Sequence, residues 1–249
     1  MLEGKRLLIT GAARGLGAAF AQEAARLGAR LVIADILEEQ GRAEVQSLTD
    51  AGAEAHFISL DLASPDAIKQ CAEDTVSALG GLDGLVNNGA IATGIGGKTF
   101  DEIDIETWDR VMTVNVRGTW LMSKAVYPAL KASGDGRVVN IASDTALWGA
   151  PRLLHYVASK GAVISMTRAL SREFGSANIC VNAIAPGLTQ VEATTYVPKE
   201  RHELYETGRA IQRAQHPDDV TGSVMFLVSE SAKFVTGQVL PVNGGFVMN

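Results

Sequence analysis

Two residues that could transfer a proton, Tyr156 and Lys160, lie four positions apart in the segment LHYVASKGAV. On a helix, residues at i and i+4 lie on one face, so these side chains would be neighbours. An isolated phenol has a pKa of about 10, and a neighbouring ammonium group favours the phenolate and lowers that pKa. The spacing therefore predicts a tyrosine general acid/base tuned by a lysine. Taken alone, the pair is also compatible with a packed tyrosine ring beside a solvated lysine.

A second candidate site is the glycine-rich segment TGAARGLG, which follows the first apolar run of the chain. Gly11, Gly15 and Gly17 permit a tight turn and a close approach of the backbone to a ligand. The N-terminus of a following helix would attract a pyrophosphate. Asp35 ends the second apolar run, where a carboxylate can bind the ribose hydroxyls of an adenosine. Together these features predict a dinucleotide site at the first strand-to-helix turn.

Two charged residues bear on which dinucleotide is bound. The Asp35 carboxylate can bind the free 2′-hydroxyl of NAD and would repel the 2′-phosphate of NADP. Arg14, which directly precedes Gly15, could instead contact a 2′-phosphate. Because repulsion between like charges excludes a ligand more surely than one flexible arginine recruits it, we expect NAD as the cofactor, with NADP less favoured.

The elements that would position these residues are indicated by seven short apolar runs bounded by turn residues. The runs span residues 6–10, 30–35, 55–61, 82–88, 136–143, 178–186 and 237–245. Longer segments with helical periodicity lie between most of them, an alternation typical of βαβ units. The sequence therefore predicts an α/β fold: a single Rossmann-like doubly wound domain over residues 1–249, with about seven parallel strands and helices on both faces.

Composition and charge limit the class of protein. A chain of 249 residues can bury a sizeable core, and 47% apolar with 20% charged residues is typical of a globular protein. The net charge of −6 argues against a nucleic-acid partner, and no apolar run reaches the roughly 20 residues that cross a bilayer. The four histidines and two cysteines show no metal-binding spacing. We expect a cytoplasmic protein without a metal, a nucleic-acid partner or a membrane segment.

Five motifs, in order along the chain, resemble those of the short-chain dehydrogenase/reductase family and cover essentially the whole sequence. They are TGAARGLG, NNGA at 87–90, Asn115 in VNVRGT, Ser143 at the end of VVNIAS, and YVASK at 156–160. The resemblance implies that Tyr156 exchanges a proton with the substrate oxygen and that Ser143 hydrogen-bonds the same oxygen. It also implies that Lys160 lowers the Tyr156 pKa and binds the nicotinamide ribose, and that Asn115 holds a water connecting Lys160 to solvent.

The resemblance also implies the remaining cofactor contacts. They are Gly11, Arg14, Gly15, Leu16, Gly17, Asp35, Asp61, Leu62, Asn88, Gly89, Pro186, Gly187 and Thr189, together with Tyr156 and Lys160. One departure from the family pattern lies after the fourth predicted strand. The family usually has Asn-Asn-Ala-Gly there, whereas this chain has Gly89 before Ala90, which leaves the backbone contacts at this point open.

The substrate is indicated only by an apolar segment. Leu147, Trp148 and Leu153 precede Tyr156 and predict an apolar wall, which suits a hydrophobic or ring-bearing secondary alcohol or ketone. Two other functions stay open: an NADPH-dependent 3-oxoacyl-(acyl-carrier-protein) reductase, and a catalytically idle nucleotide-binding protein. Asp35 disfavours the first of these, and the complete catalytic set disfavours the second.

Two further expectations concern segments outside the cofactor site. Residues 188–213 carry many charges and follow the predicted nicotinamide contacts, so they are predicted to form a mobile lid; a fixed surface helix is the alternative. The helix expected at about 105–132 and the helix that carries Tyr156 are too apolar to have a single buried face. Relatives associate through these two helices, which predicts a homotetramer.

Overall fold

Seven parallel strands form the sheet of the computed structural model, which describes residues 1–248. The strands are β1 (Arg6–Thr10), β2 (Arg30–Asp35), β3 (Ala55–Ser59), β4 (Gly84–Asn87), β5 (Arg137–Ile141), β6 (Cys180–Pro186) and β7 (Val239–Val242). Their order in the sheet is β3-β2-β1-β4-β5-β6-β7. The order reverses between β1 and β4, and open parallel sheets bind ligands at the carboxyl ends of their strands near such a point. The predicted Rossmann-like α/β fold is confirmed.

Helices cover both faces of this sheet. They are α1 (Gly15–Arg26), α2 (Glu38–Asp50), α3 (Pro65–Leu79), α4 (Ile105–Met112), α5 (Thr119–Ser133), α6 (Thr145–Trp148), α7 (Leu154–Phe174), α8 (Lys199–Gly208) and α9 (Asp218–Val228). Alternate residues of β1 are buried on opposite faces, as the period of a strand requires. Leu7 and Ile9 belong to the core that contains Phe20 of α1, whereas Leu8 belongs to the core that contains Met122 of α5.

The helix expected at about 105–132 consists of three segments. A π-helical turn, Thr113–Gly118, separates α4 from α5 and contains Asn115. The Thr119 hydroxyl donates to the Asn115 carbonyl at 2.8 Å. Turns of this kind widen a helix locally and occur often at functional sites. The hydrophobic period of the sequence continues through the turn, so the pattern alone predicts one uninterrupted helix.

Residues 1–248 include neither a membrane-spanning helix nor a three-residue metal cluster. No helix in this range has the length and apolar character needed to cross a membrane. The same residues contain no group of three histidine, cysteine, aspartate or glutamate side chains placed to hold a metal ion. Cys71 and Cys180 are buried free thiols.

Candidate active site

A cleft of about 1000 Å³ opens along the carboxyl ends of the strands. It extends from the ends of β1 and β2 to the ends of β5 and β6. We refer to the part of the cleft next to β5 and β6 as the β5 end. The predicted residues that line it are Gly11, Arg14, Gly15, Leu16, Gly17, Asp35, Asp61, Leu62, Asn88, Gly89, Ser143, Leu153, Tyr156, Lys160, Pro186, Gly187 and Thr189. The fold therefore brings into one cleft residues that lie far apart along the chain.

The glycine-rich turn is packed too closely for side chains at two positions. A Cβ atom on Gly11, which has φ +63°, would lie 2.5 Å from Cα of Gly89. A Cβ atom on Gly17 would lie 2.1 Å from the Gly11 carbonyl oxygen. The Asn88 side chain donates to the carbonyl oxygens of Thr10 and Gly11 at 3.1 and 2.8 Å, which ties the turn to the end of β4. This bare backbone at the start of α1 fits the pyrophosphate of a dinucleotide.

Asp35 is held in place by the backbone on both sides of it. One carboxylate oxygen accepts from Ala13 N at 3.0 Å, and the other accepts from Leu37 N at 3.0 Å. Each oxygen has a second lone pair, so the carboxylate can still accept from a ribose hydroxyl. Arg14 is exposed at the same cleft, and its side chain forms no ion pair or hydrogen bond with any residue from 1 to 248. Both charges that bear on cofactor choice therefore border the cleft.

Ser143, Tyr156 and Lys160 meet at the β5 end. Ser143 is the second residue after the end of β5, and its hydroxyl accepts from the Thr145 hydroxyl at 2.9 Å. The Ser143 hydroxyl also lies near the Tyr156 phenol and favours its ionised form. Tyr156 and Lys160 lie on α7, and the Lys160 ammonium lies 5.6 Å from the centre of the Tyr156 ring and donates to the Ile141 carbonyl at 2.7 Å. The i, i+4 neighbours expected from the spacing are therefore neighbours in space.

The pKa of Tyr156 differs from the sequence-based expectation. Burial raises this pKa well above its usual range, and the hydrogen bond with Ser143 offsets only part of the increase. Burial also lowers the pKa of Lys160 to about 8, because the ammonium lies away from water with a single carbonyl partner. In the protein without cofactor, burial therefore outweighs any lowering of the phenol pKa, and the predicted effect of Lys160 on that pKa stays a prediction. Tyr156 keeps its proton at neutral pH, which is the state of a general acid.

Asn115 lies behind the cleft and is buried. Its side-chain amide donates to the Ile91 carbonyl and to the Ser159 hydroxyl, both at 3.1 Å, and its oxygen accepts from Ile91 N at 2.8 Å. These bonds fasten the segment that follows β4 to the helix that carries Tyr156. The role of Asn115 in holding a water stays a prediction.

Of the three predicted substrate contacts, Leu153 lines the cleft and the other two do not. Helix α6 is a single turn that directs Leu147 toward a small core containing Ala142 and Val163. The Trp148 ring packs edge-on against Tyr205 and Phe246, with ring centroids 6.3 and 5.6 Å apart. The apolar wall is formed instead by residues of the segment after β6, namely Leu188, Val191, Tyr196 and Val197.

Sequence reasoning did not identify Asp144 or Arg209 as buried residues beside the cleft. Asp144 directly follows Ser143 and is fully buried. Tyr205 and Arg209 are also buried, although the charges of this segment predicted that it would be solvated. The Arg209 guanidinium donates to three carbonyl oxygens, which compensates for its burial. A signal for Asp144 was available, since it lies three residues after the end of β5, at the edge of the sheet where ligands bind.

Known proteins match this chain over nearly its whole length. The family described as enoyl-(acyl carrier protein) reductase matches residues 11–247. A 3-alpha-(or 20-beta)-hydroxysteroid dehydrogenase of Mycobacterium tuberculosis is 36% identical over 246 residues, which are 99% of this chain and 90% of that protein. A 3-oxoacyl-[acyl-carrier-protein] reductase of Aquifex aeolicus is 32% identical over 98% of both chains.

Solved structures match in the same way. The crystal structure of a short-chain dehydrogenase from Burkholderia cenocepacia in complex with NADP has a TM-score of 0.90 and 33% identity, and the match covers 98% of both chains. Fold, cleft and matches together define an oxidoreductase of the dinucleotide-binding α/β class. More particularly, the chain belongs to the short-chain dehydrogenase/reductase family, whose members bind NAD or NADP.

Proposed function

We propose that this protein is an NAD-dependent oxidoreductase that interconverts a secondary alcohol and a ketone, with Tyr156 as the general acid/base. The observation that carries the proposal is that Ser143 and Tyr156 border the same part of the cleft and interact there, with the buried Lys160 beside them. Two hydroxyls that meet at one point can both hydrogen-bond one substrate oxygen. A polar carbonyl or alcohol oxygen is the group that such a pair orients.

A nicotinamide cofactor, when bound, supplies the hydride chemistry. The protein positions the reacting carbon and handles one proton. In ketone reduction, the Tyr156 hydroxyl gives its proton to the substrate oxygen as that oxygen gains negative charge, and Ser143 stabilises the charge by a hydrogen bond. In alcohol oxidation the proton moves back to the Tyr156 oxygen. Lys160 stabilises the phenolate through its positive charge, and Asn115 keeps the water that leads from Lys160 to solvent.

The cofactor would lie along the cleft from the glycine-rich turn to Tyr156. The turn at Gly11 to Gly17 would hold the pyrophosphate, and Asp35 would accept from the adenosine ribose. The adenine would lie between Asp61 and Leu62 and the segment at Asn88 and Gly89. The nicotinamide would contact Pro186, Gly187 and Thr189, with Lys160 on its ribose. A hydrophobic or ring-bearing substrate then fits the apolar wall at the β5 end, and the hydroxysteroid dehydrogenase relative supports this class.

A second candidate function is NADPH-dependent reduction of a 3-oxoacyl group on acyl carrier protein. The Aquifex relative and the family description support it, and the unpaired Arg14 at the cleft is compatible with a 2′-phosphate. The buried position of Asp35 at the end of β2 favours NAD instead. A catalytically idle nucleotide-binding protein is the third candidate, and the complete Ser143, Tyr156 and Lys160 set disfavours it.

The absorbance of reduced nicotinamide tests the three functions directly. Purified protein is mixed with NAD or NADP and a panel of secondary alcohols that includes ring alcohols, steroid alcohols and 3-hydroxyacyl thioesters. We expect reduction of NAD with ring-bearing alcohols. Turnover confined to NADPH and 3-oxoacyl thioesters would establish the second candidate. Binding of dinucleotide without turnover of any substrate, in either direction, would establish the third.

Replacement of Asp35 tests cofactor choice. In the unmodified protein kcat/KM is expected to be higher with NAD than with NADP, because the carboxylate repels a 2′-phosphate. Asp35→Ser is expected to narrow the difference by about tenfold or more, mainly by improving kcat/KM for NADP. Adding Arg14→Ala to that variant should remove part of the gain. A preference for NADP in the unmodified protein would contradict the weight given to Asp35.

A homotetramer is expected, with contacts made by the π-helical turn, α5 and α7. A surface groove on these elements is lined by Met112, Val116, Arg117, Trp120, Ala162 and Met166, and 47% of the Trp120 surface is exposed. Light scattering should give four times the chain mass at micromolar concentration. Trp120→Glu places a charge in the groove and should reduce that mass. Phe234→Glu changes another exposed aromatic residue outside the groove; it is the matched control and should leave the mass unchanged. A monomer mass for the unmodified protein would rule out the tetramer.

The segment 188–213 is proposed to be a lid that becomes more ordered over cofactor and substrate. It borders the cleft through Val191, Tyr196 and Val197, and the Tyr196 hydroxyl donates to the Ala92 carbonyl across the opening at 2.6 Å. Hydrogen exchange with NAD plus a substrate analogue should slow selectively within 188–213. Residues 131–136, at the amino end of β5, provide an internal control. Equal exchange of 188–213 in both states would favour the fixed helix.

A further inference from the structure

A buried hydrogen bond joins α8 to the residue that follows Ser143. The Tyr205 hydroxyl donates to one carboxylate oxygen of Asp144 at 2.8 Å, and both residues border the cleft at its β5 end. Asp144 has no exposed surface, and Tyr205 is 2% exposed. The reaction proposed above makes no use of either group. A fully buried carboxylate next to a reacting hydroxyl therefore needs a separate explanation.

Three other contacts hold this pair in place. The second carboxylate oxygen of Asp144 accepts from the Asn243 amide at 3.3 Å. The Tyr205 ring stacks on Phe246, with centroids 4.3 Å apart, and its hydroxyl also accepts from the Trp148 indole at 3.2 Å. The pair thus joins α6, α8 and the segment after β7.

The ionisable groups that act on Asp144 lie on or next to two helices. On α8 the Tyr205 hydroxyl and the positive charge that follows at Arg209 both favour the carboxylate, and Arg201 acts on Tyr205. On α7 the phenol of Tyr156 interacts electrostatically with Asp144. Arg209 in turn is bonded to the carbonyl oxygens of residues on both sides of α8, which fixes the ends of the lid segment. Movement of α8 would therefore change both the hydrogen bonds of the Asp144 carboxylate and the electrostatic field at that group.

The backbone transmits the position of Asp144 to Ser143. Asp144 N donates to the Pro186 carbonyl at 3.0 Å, and its own carbonyl accepts from Leu147 N at 2.8 Å. Ser143 is one peptide bond away, and its hydroxyl accepts from the Thr145 hydroxyl and lies near the Tyr156 phenol. A shift of Asp144 with α8 would therefore strain these backbone bonds and displace the peptide that carries Ser143.

We propose that Asp144 and Tyr205 form a latch that holds α8 over the β5 end of the cleft and fixes the hydroxyl of Ser143. Tyr205 is a positioning residue, since it acts on Ser143 through Asp144. The inference rests on the proposed function, because Ser143 and Tyr156 are the reacting hydroxyls of that function. It goes beyond the lid by naming the contact that closes it.

The latch is sensitive to pH. Burial raises the pKa of Asp144 to about 6, while the hydrogen bonds from Tyr205 and Asn243 and the charge of Arg209 counteract that increase. Above this pKa the carboxylate accepts strong hydrogen bonds from Tyr205 and Asn243; below it the neutral acid accepts weaker ones and the latch loosens. Removing the Tyr205 hydroxyl removes a contact that lowers the pKa, so the pKa of Asp144 must rise further.

Kinetics of Tyr205→Phe form the first test. This variant keeps the ring on Phe246 and loses only the hydroxyl. We expect kcat/KM for the alcohol to fall about tenfold, with KM for NAD within about twofold of the unmodified value. The acid limb of the pH profile should move to higher pH by at least about half a unit, and Asp144→Asn should abolish this limb.

Tyr127→Phe, a change on α5 outside the cleft, is the matched control and should leave the profile unchanged. An acid limb at the same pH in Tyr205→Phe and the unmodified protein would overturn the latch.

Fluorescence of Trp148 provides a test that needs no turnover. The indole donates to the Tyr205 hydroxyl, so its emission should change as Asp144 titrates, with a midpoint near pH 6. The same change should be absent in Trp148→Phe and in Asp144→Asn, and should move to higher pH in Tyr205→Phe. This pattern in a protein that turns over no alcohol would reject the proposed function and retain the latch. A Trp148 signal without a transition between about pH 5 and pH 7 would reject the latch whatever the activity.

Discussion

Tyr156→Phe is expected to lower kcat by at least ~10²-fold, the loss typical of an absent general acid/base. The variant removes the oxygen that carries the proton and keeps the ring that packs beside Lys160. The bond from Lys160 to the Ile141 carbonyl does not depend on the phenol oxygen, so the cofactor half of the cleft should keep its shape. The Kd for NAD should therefore stay within about twofold of the unmodified value.

Steady-state absorbance gives kcat, and quenching of tryptophan fluorescence by the dinucleotide gives Kd. Tyr127→Phe makes the same chemical change outside the cleft and should retain full turnover. Turnover of Tyr156→Phe within about threefold of the unmodified protein would remove Tyr156 from the proposed role.

Lys160→Met is expected to weaken both turnover and binding of NAD, each by about tenfold or more, because a charge-assisted contact contributes about 1.5–3 kcal/mol. Methionine has a similar length and packs against apolar neighbours, so the effect isolates the ammonium group. The lowered pKa of Lys160, about 8, adds a pH signature. In the unmodified protein, turnover should change on the alkaline side near that pH as the ammonium loses its proton; in Lys160→Met this transition should be absent.

Lys69→Met provides the control for Lys160→Met, since Lys69 is an exposed lysine on α3 that borders no part of the cleft. It should change neither kcat nor the Kd for NAD. If Lys160→Met altered only the affinity for NAD, Lys160 would be a cofactor ligand without influence on the proton held by Tyr156. Equal kcat values with and without the Lys160 ammonium at neutral pH would establish that outcome.

The order of strands and helices could be predicted from the sequence because it depends on local patterns. Short apolar runs between turn residues mark buried strands, and each run, from 6–10 through 237–245, contains one observed strand. The crossover rule for parallel strands then leaves few topologies. The spacing of Tyr156 and Lys160 also predicted that their side chains are neighbours, because both lie within one helix and the geometry of a helix is constant. Residues at the ends of parallel strands, such as Ser143 and Asp35, could be assigned to one edge of the sheet for the same reason.

Only the tertiary structure decided which way certain side chains point and how far the titratable groups are shielded from water. Leu147 and Trp148 occupy a one-turn helix whose orientation depends on α7 and α8, so their apolar character could not show that they turn away from the cleft. The pKa of Tyr156 depends on how much water the folded chain excludes, and this exclusion outweighs the hydrogen bond with Ser143. Asp144 and Tyr205 lie 61 residues apart, and no local pattern connects them. The sequence by itself therefore determined the sheet, the dinucleotide turn and the candidate catalytic set, because these follow from short-range spacing. Packing between distant segments determined which side chains face the cleft and how their protons are held.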